Sequence, residues 1–230
     1  MTQKKKESPL MNLLLNILIP VMILMKFSSP EKLGPAVGLV VALAFPIGYG
    51  IYDFIKQKKL NVFSVIGLIS ILLTGVIGLF QLDPSWVAVK EAAVPLVLGM
   101  AVIISLWTPF PLVKKLIYND QLINVEKIDQ ILDERDSKPV FEKKLVLATY
   151  LVAASFLVSA VLNYVLAKVL VKSPAGTEAF NEELGQMTFW SFPVIAVPST
   201  LIMFLALWML IKSIQKLTSL ELNDILNVKE

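Results

Sequence analysis

The stretch LVLATYLVAASFLVSAVLNYVLA, Leu145 to Ala167, contains no charged residue. A bilayer's hydrocarbon core is about 30 Å thick, and a helix needs about 20 apolar residues to cross it. This stretch meets that length. Lipid offers no hydrogen bonds to free amides or carbonyls, so the backbone must satisfy its own, which an α-helix does. A barrel strand would alternate apolar and polar residues over about ten positions. This run is continuously apolar, so a transmembrane helix is the reading.

Five more runs of the same kind flank it. The expected spans are residues 9–27, 33–53, 62–82, 88–110, 145–168 and 188–211, with a loop over 111–144. The composition agrees, with 56% hydrophobic and 17% charged residues. An ordinary soluble protein carries about 25% charged residues. The expected fold is an all-α bundle of six transmembrane helices forming one transmembrane domain over residues 1–230. The basic stretch at the start has no small-residue cleavage site after Met25, so the first run reads as a retained span rather than a leader.

Lysine and arginine set the orientation. Lys4, Lys5, Lys6, Lys56, Lys58, Lys59, Lys114, Lys115, Lys127, Arg135, Lys138, Lys143, Lys144, Lys212, Lys216 and Lys229 fall on one side, sixteen in all. Lys26, Lys32, Lys90, Lys168 and Lys172 make five on the other. Basic residues accumulate in cytoplasmic loops, so both termini are expected in the cytoplasm. The four tryptophans sit near run ends: Trp86 and Trp107 at the fourth, Trp190 and Trp208 at the sixth. Indole favours the headgroup level, and these read as anchors.

The long loop between the fourth and fifth spans carries Val125, Ile128, Ile131 and Leu132 at helical spacing. Asn124 suits an N-cap, Glu126 suits the first turn, and Pro139 would end the helix. The pattern predicts a short amphipathic helix lying on the cytoplasmic membrane surface. Leu217 to Val228 has a weaker form of the same pattern.

The chain has no cysteine and no histidine. Disulfides, thiolate nucleophiles and Cys/His zinc sites are therefore excluded. So are His-ligated haem and Ser-His-Asp catalysis. No catalytic residue, metal site or cofactor is expected.

A few polar or kinked positions remain as candidates. Asn12 and Asn16 share a face of the first span. Asn163 lies late in the fifth. Such amides bond between helices or line a polar path. Pro46, followed by Gly48 and Gly50, and Pro95 interrupt two spans, as kinks or as breaks that free backbone groups for a ligand. Gly75 and Gly78 suit close helix packing. Asp53 follows Tyr52 at the inner end of the second span. A Tyr-Asp pair fits aspartyl intramembrane proteases, but no second span supplies the carboxylate they need. Lys90 and Glu91 are adjacent charges inside the fourth span. Lys90 can reach outward along its stem and lie over Trp86, while Glu91 is expected to face the bundle. A charge pair with another helix and an ion relay are the two readings.

Ala44-Phe45-Pro46-Ile47-Gly48-Tyr49-Gly50, the segment Lys56 to Asn61 and Gly75-Val76-Ile77-Gly78-Leu79 form one group of motifs. Asp83-Pro84-Ser85-Trp86 with Lys90 and Pro95, and Leu162-Asn163-Tyr164, form another. Together they resemble a family of bacterial inner-membrane proteins of unknown function. That family is distantly similar to intracellular septation protein A, also called the inner membrane-spanning protein family. The first resemblance covers most of the chain, the second only about Gly48 to Ala167. The long inner loop and the Pro-rich sixth span depart from the septation pattern. The resemblance implies a role in maintaining or dividing the cell envelope, without known enzymatic activity, in the bacterial inner membrane. Some relatives carry a transporter label. It marks Lys90 and Asn163 as matching positions and assigns them no role.

The reading that follows is a non-enzymatic membrane protein acting through protein or lipid contacts. The alternative is an ion or small-molecule transporter with a path lined by Asn12, Asn16, Glu91 and Asn163. Membrane lipids are the expected partners. Other envelope proteins and a second copy of the chain are further candidates, and nucleic acid is not.

Overall fold

The computed structural model describes residues 13–57, 62–108, 111–118 and 123–226. These are helical, apart from turns and one isolated antiparallel bridge between Ile123 and Leu226. A π-helical turn, Leu14–Leu18, leads into α1, Ile19–Lys26. Then come α2, Pro35–Gln57, α3, Val62–Leu79, and α4, Ser85–Ile104 with a 3-10 turn at Ser105–Trp107. Next are the short α5, Leu112–Ile117, then α6, Val125–Glu134, and α7, Lys138–Leu170. The chain continues through α8, Glu178–Ser191, a second π-turn at Phe192–Ala196, α9, Val197–Thr218, and α10, Leu222–Ile225.

Four helical stretches are long and apolar enough to cross a membrane: Pro35–Lys56, Ser85–Trp107, Lys138–Leu170 and Glu178–Thr218. The apolar helices Leu14–Lys26 and Val65–Leu79 are shorter. Between 17% and 39% of the apolar window in each long stretch is buried within the chain. The remaining faces are apolar and uncovered, as lipid-facing surfaces are. All four tryptophans are at least 48% exposed. The helix of the expected fifth span begins at Lys138 rather than Leu145. Its 33 residues make a rod about 50 Å long, so it extends well beyond a hydrocarbon core. Pro139 sits in its first turn, where a missing amide hydrogen costs nothing. The expected sixth span likewise starts earlier, at Glu178.

The described residues form two compact units. The first is Met1–Val94 with Val161–Ile195, and the second is Pro95–Ala160 with Ala196–Glu230.

The first unit packs α1 against α2 and α8. Leu24, Leu39, Ala42, Ile77, Phe180, Leu184 and Met187 are buried together there. Close approach is permitted by glycine: a Cβ on Gly185 would lie 2.6 Å from Met25 Cγ, and one on Gly78 would overlap Leu39. Fully buried Asn181 ties the helices together. Its Nδ2 donates to Ser28 Oγ at 3.0 Å and to the Pro35 carbonyl at 2.8 Å, while its Oδ1 accepts nothing from the chain. The carbonyl of Pro35 fixes which way the amide faces, because an acceptor cannot meet an acceptor.

The second unit buries Val102, Val113, Ile128, Leu132, Phe141, Leu145, Leu210, Ile214 and Ile225 in one cluster. Here the expected surface helix needs correction. α6 forms with Asn124 as its N-cap, accepting from the Lys127 amide at 3.2 Å. Its apolar face does not lie on a membrane surface, however. Ile128 and Leu132 are fully buried in the core. The C-terminal segment closes over the helix: the Asn124 amide donates to the Ile225 carbonyl at 2.9 Å, and Lys127 pairs with Asp224 at 2.7 Å. Arg135 donates to the Leu217 carbonyl and to Ser219 Oγ. The apolar stripe reads the same whether lipid or protein covers it, and here protein does.

Two outcomes are expected. Asn181→Ala leaves the buried Ser28 hydroxyl and the part-buried Pro35 carbonyl without their donor and costs about 1–3 kcal/mol. The exposed Asn223→Ala change costs almost nothing. Reversible unfolding in mixed micelles compares them. Lys127 also holds the Asp224 carboxyl below the usual carboxylate range, by a hydrogen bond and by its charge. A depressed folded pKa gives a contribution that is present above the unfolded value and lost as pH falls through the folded one. Asp224→Asn should therefore loosen the C-terminal segment against protease at neutral pH and make no difference in acid.

Candidate functional site

Two charged residues stand next to each other within α4. Lys90 lies about 7.5 Å along α4 from Ser85, at 1.5 Å per residue. Its ammonium donates to Glu91 Oε1, closing an ion pair within one helix. The side chains are 7% and 26% exposed, so Lys90 is the more buried partner. This reverses the sequence expectation on two counts. Lys90 does not reach outward over Trp86; the rings under lysines are Phe27 beneath Lys32 and Tyr52 beneath Lys56, each at 5.4 Å. Nor does Glu91 reach to another helix for its charge partner.

The reason is local. Val87 and Ala88, one turn earlier on α4, are buried in the first unit's core. Lys90 stands three residues after Val87, on a neighbouring stripe of the helix, and the nearest anion is its neighbour. Pro95 is buried within the same helix. It has no amide hydrogen to give the Glu91 carbonyl four residues back. A carboxylate, an ammonium and a weakened backbone acceptor are thus gathered within a turn of α4. Pairing removes the net charge, which alone would cost roughly 2.5–3.5 kcal/mol per ion at the bilayer centre.

The other candidates are dispersed. Asn12 lies outside the described residues. Asn16 is half-buried in the first π-turn. Pro46 is half-buried inside α2, which continues without a break to Gln57, so it does not open the helix for a ligand. Asp53 is half-buried near the end of α2. Asn163 is half-buried on α7, one turn before Ala167, and Ala167 shares the buried cluster with Val87 and Ala88. A groove of about 450 Å³ between α2 and α3 runs past Val40, Leu43, Ile47, Gly48, Ile71, Gly75 and Phe80. Apolar side chains and glycine line it, and none of the candidate residues does.

The sequence reading missed two residues with stronger polar roles. One is Asn181. The other is Glu183, whose carboxylate accepts from the Lys172 amide (2.9 Å), the Ser173 amide (2.8 Å) and Ser173 Oγ (2.8 Å). A signal was present in the sequence. Thr177 caps α8, accepting from the Phe180 amide at 3.2 Å, with Glu178 in the first turn. Phe180, Leu184 and Met187 follow at helical spacing.

The pair should behave as a self-neutralising unit. Glu91→Gln leaves a buried ammonium uncompensated and costs roughly 3 kcal/mol, whereas the double change Lys90→Met with Glu91→Leu stays within about 1 kcal/mol of the parent. A double-mutant cycle of unfolding free energies measures the difference. No protein-family model, curated protein or solved structure matches this chain.

Proposed function

We propose that this chain is a bacterial inner-membrane protein with six spans and both termini in the cytoplasm. It acts without catalysis, through lipid and protein contacts, in maintaining or dividing the cell envelope. One observation supports the contact role above all. Among the described residues, most buried polar side chains of the helices are already used within the chain; only Asn181 Oδ1 and Ser199 Oγ have no partner. Ser105, Thr149, Ser155 and Thr218 donate to carbonyls of their own helices at 2.6–2.8 Å. Lys90 is taken by Glu91, and the Asn181 amide by Ser28 and Pro35. The groove between α2 and α3 is apolar. Polar groups so engaged are glue between and within helices, not the lining of a path for a solute.

The six-span count adds the shorter helices Leu14–Lys26 and Val65–Leu79 to the four long ones. The orientation rests on the sixteen-to-five division of basic residues. The envelope role rests on the resemblance carried by the Pro46 region, the Asp83-Pro84-Ser85-Trp86 turn and Leu162-Asn163-Tyr164. The competing transport reading draws on one observation, the charged pair inside α4.

The native chain lacks cysteine, so single cysteines report topology cleanly. Glu134→Cys and Ser219→Cys should react with an impermeant thiol reagent only after the cytoplasmic face is opened. Glu31→Cys and Lys172→Cys should react from outside intact spheroplasts. The opposite pattern would reverse the orientation, and labelling of all four from outside would remove the six-span arrangement. Vesicles reconstituted with the chain should show no added flux of protons, sodium or potassium. Flux that Glu91→Gln abolishes would establish the transport reading instead.

A further inference from the structure

The cations of the second unit fall into two groups. Those of the cap are consumed: Lys127 pairs with Asp224 at 2.7 Å, and Lys138 pairs with Asp133 at 3.0 Å and Asp129 at 3.9 Å. Arg135 bonds Leu217 and Ser219. Those nearer the apolar spans are not. Lys114, Lys143, Lys144, Lys212 and Lys216 are exposed, and none of the five is in an ion pair with a described residue.

Each of the five borders the unit's apolar core along the sequence. Lys114 adjoins Val113, Lys144 adjoins Leu145, and Lys212 lies between Leu210 and Ile214. Those four apolar residues belong to a single buried cluster. On α7 and α9 the lysines stand at the ends of the apolar stretches, and Lys114 lies on the short α5. Two of the helices also place an exposed aromatic beneath the lysines on the same stripe. Trp208 precedes Lys212 and Lys216 at intervals of four residues on α9. Tyr150 follows Lys143 by seven on α7, two turns along. An aromatic body at the headgroup boundary with an ammonium just beyond it places positive charge at lipid phosphate level.

We propose that this lysine belt, and chiefly Lys143, Lys144, Lys212 and Lys216, is a binding site for the phosphate headgroups of anionic phospholipids. The proposal rests on the membrane reading given above. A soluble polyanion would have no use for the exposed aromatic and aliphatic stripes from which the lysines emerge. A lipid uses both, its acyl chains on the stripes and its phosphate at the lysines. Clusters of lysine beside a span gain roughly fivefold in affinity for each lysine engaged with an anionic surface.

The test uses the full chain with Trp86→Phe, Trp107→Phe and Trp190→Phe, leaving Trp208 as the sole indole. It is reconstituted in phosphatidylcholine vesicles with a minor share of bromine-bearing phosphatidylglycerol or of bromine-bearing phosphatidylcholine. Bromine quenches indole on contact, so quenching reports which lipid sits at Trp208. The expected result is at least a threefold preference for phosphatidylglycerol at low salt, falling as salt rises. The variant carrying Lys143→Gln, Lys144→Gln, Lys212→Gln and Lys216→Gln should lose it. These side chains are exposed, and the chain should still fold; helical circular dichroism checks this. Equal quenching by the two lipids overturns the lysine site and leaves the membrane reading intact. Quenching by neither overturns both. A preference that survives in the glutamine variant also overturns the site.

Discussion

A backbone amide or carbonyl in hydrocarbon has no solvent to bond, so each helix must satisfy its own. Proline breaks that rule by having no amide hydrogen and by crowding the carbonyl four residues earlier. Four of the prolines within the helices show that the fold answers in two ways. Pro46 and Pro95 sit inside continuous α-helices. Pro20 and Pro198 each lie two residues beyond a π-turn, Leu14–Leu18 in one case and Phe192–Ala196 in the other. A π-turn widens the helix by one residue and relieves the clash of the ring with the preceding turn. The same spacing at both sites is a structural rhyme that the hydropathy of the runs does not show.

That constraint explains why so much of the fold was legible in the sequence. Apolar length and continuity report a demand on the backbone itself, and they located the helices over 35–57, 85–104, 138–170 and 197–218. They were less informative about ends. Lys138–Lys144 is polar enough to pass for loop, yet it forms the first two turns of α7, because Phe141 finds a place in the core. Capping chemistry was the better guide there. Asn124 does cap α6, and Thr177 caps α8 in the same manner.

What a helix face is for proved harder to read than that the face exists. The stripe of Val125, Ile128, Ile131 and Leu132 is amphipathic whatever covers it. Its cover comes from Ile225 and Leu226, about a hundred residues away, through one bridge and a buried side chain. No local pattern carries that information. The polar sites show the same limit. The sequence exposed Lys90 and Glu91 because charge in a span is rare, but it could not say which would be the more buried. That is set by the packing around both side chains, and the spacing along α4 does not carry it. Asn181 was invisible because it sits among ordinary polar residues ahead of a span, and only the return of Ser28 and Pro35 makes it a buried clamp.

The distribution of lysines completes the same logic. Exposed ion pairs such as Lys127–Asp224 and Lys138–Asp133 are screened by solvent and weak, so they fix how the cap closes more than how strongly. Acids are plentiful on that cap: Glu126, Asp133, Glu134 and Asp136 are all exposed. Yet none pairs with Lys143, Lys144, Lys212 or Lys216. Folding in water would give no reason for the separation, since an unpaired surface lysine is fully hydrated and carries no penalty. A negatively charged surface at the level of those lysines does give one. It would hold the ammonium groups there, with exposed Glu142 the one acid of α7 beside them, so the run of lysines along α7 and α9 follows from the medium that surrounds the helices.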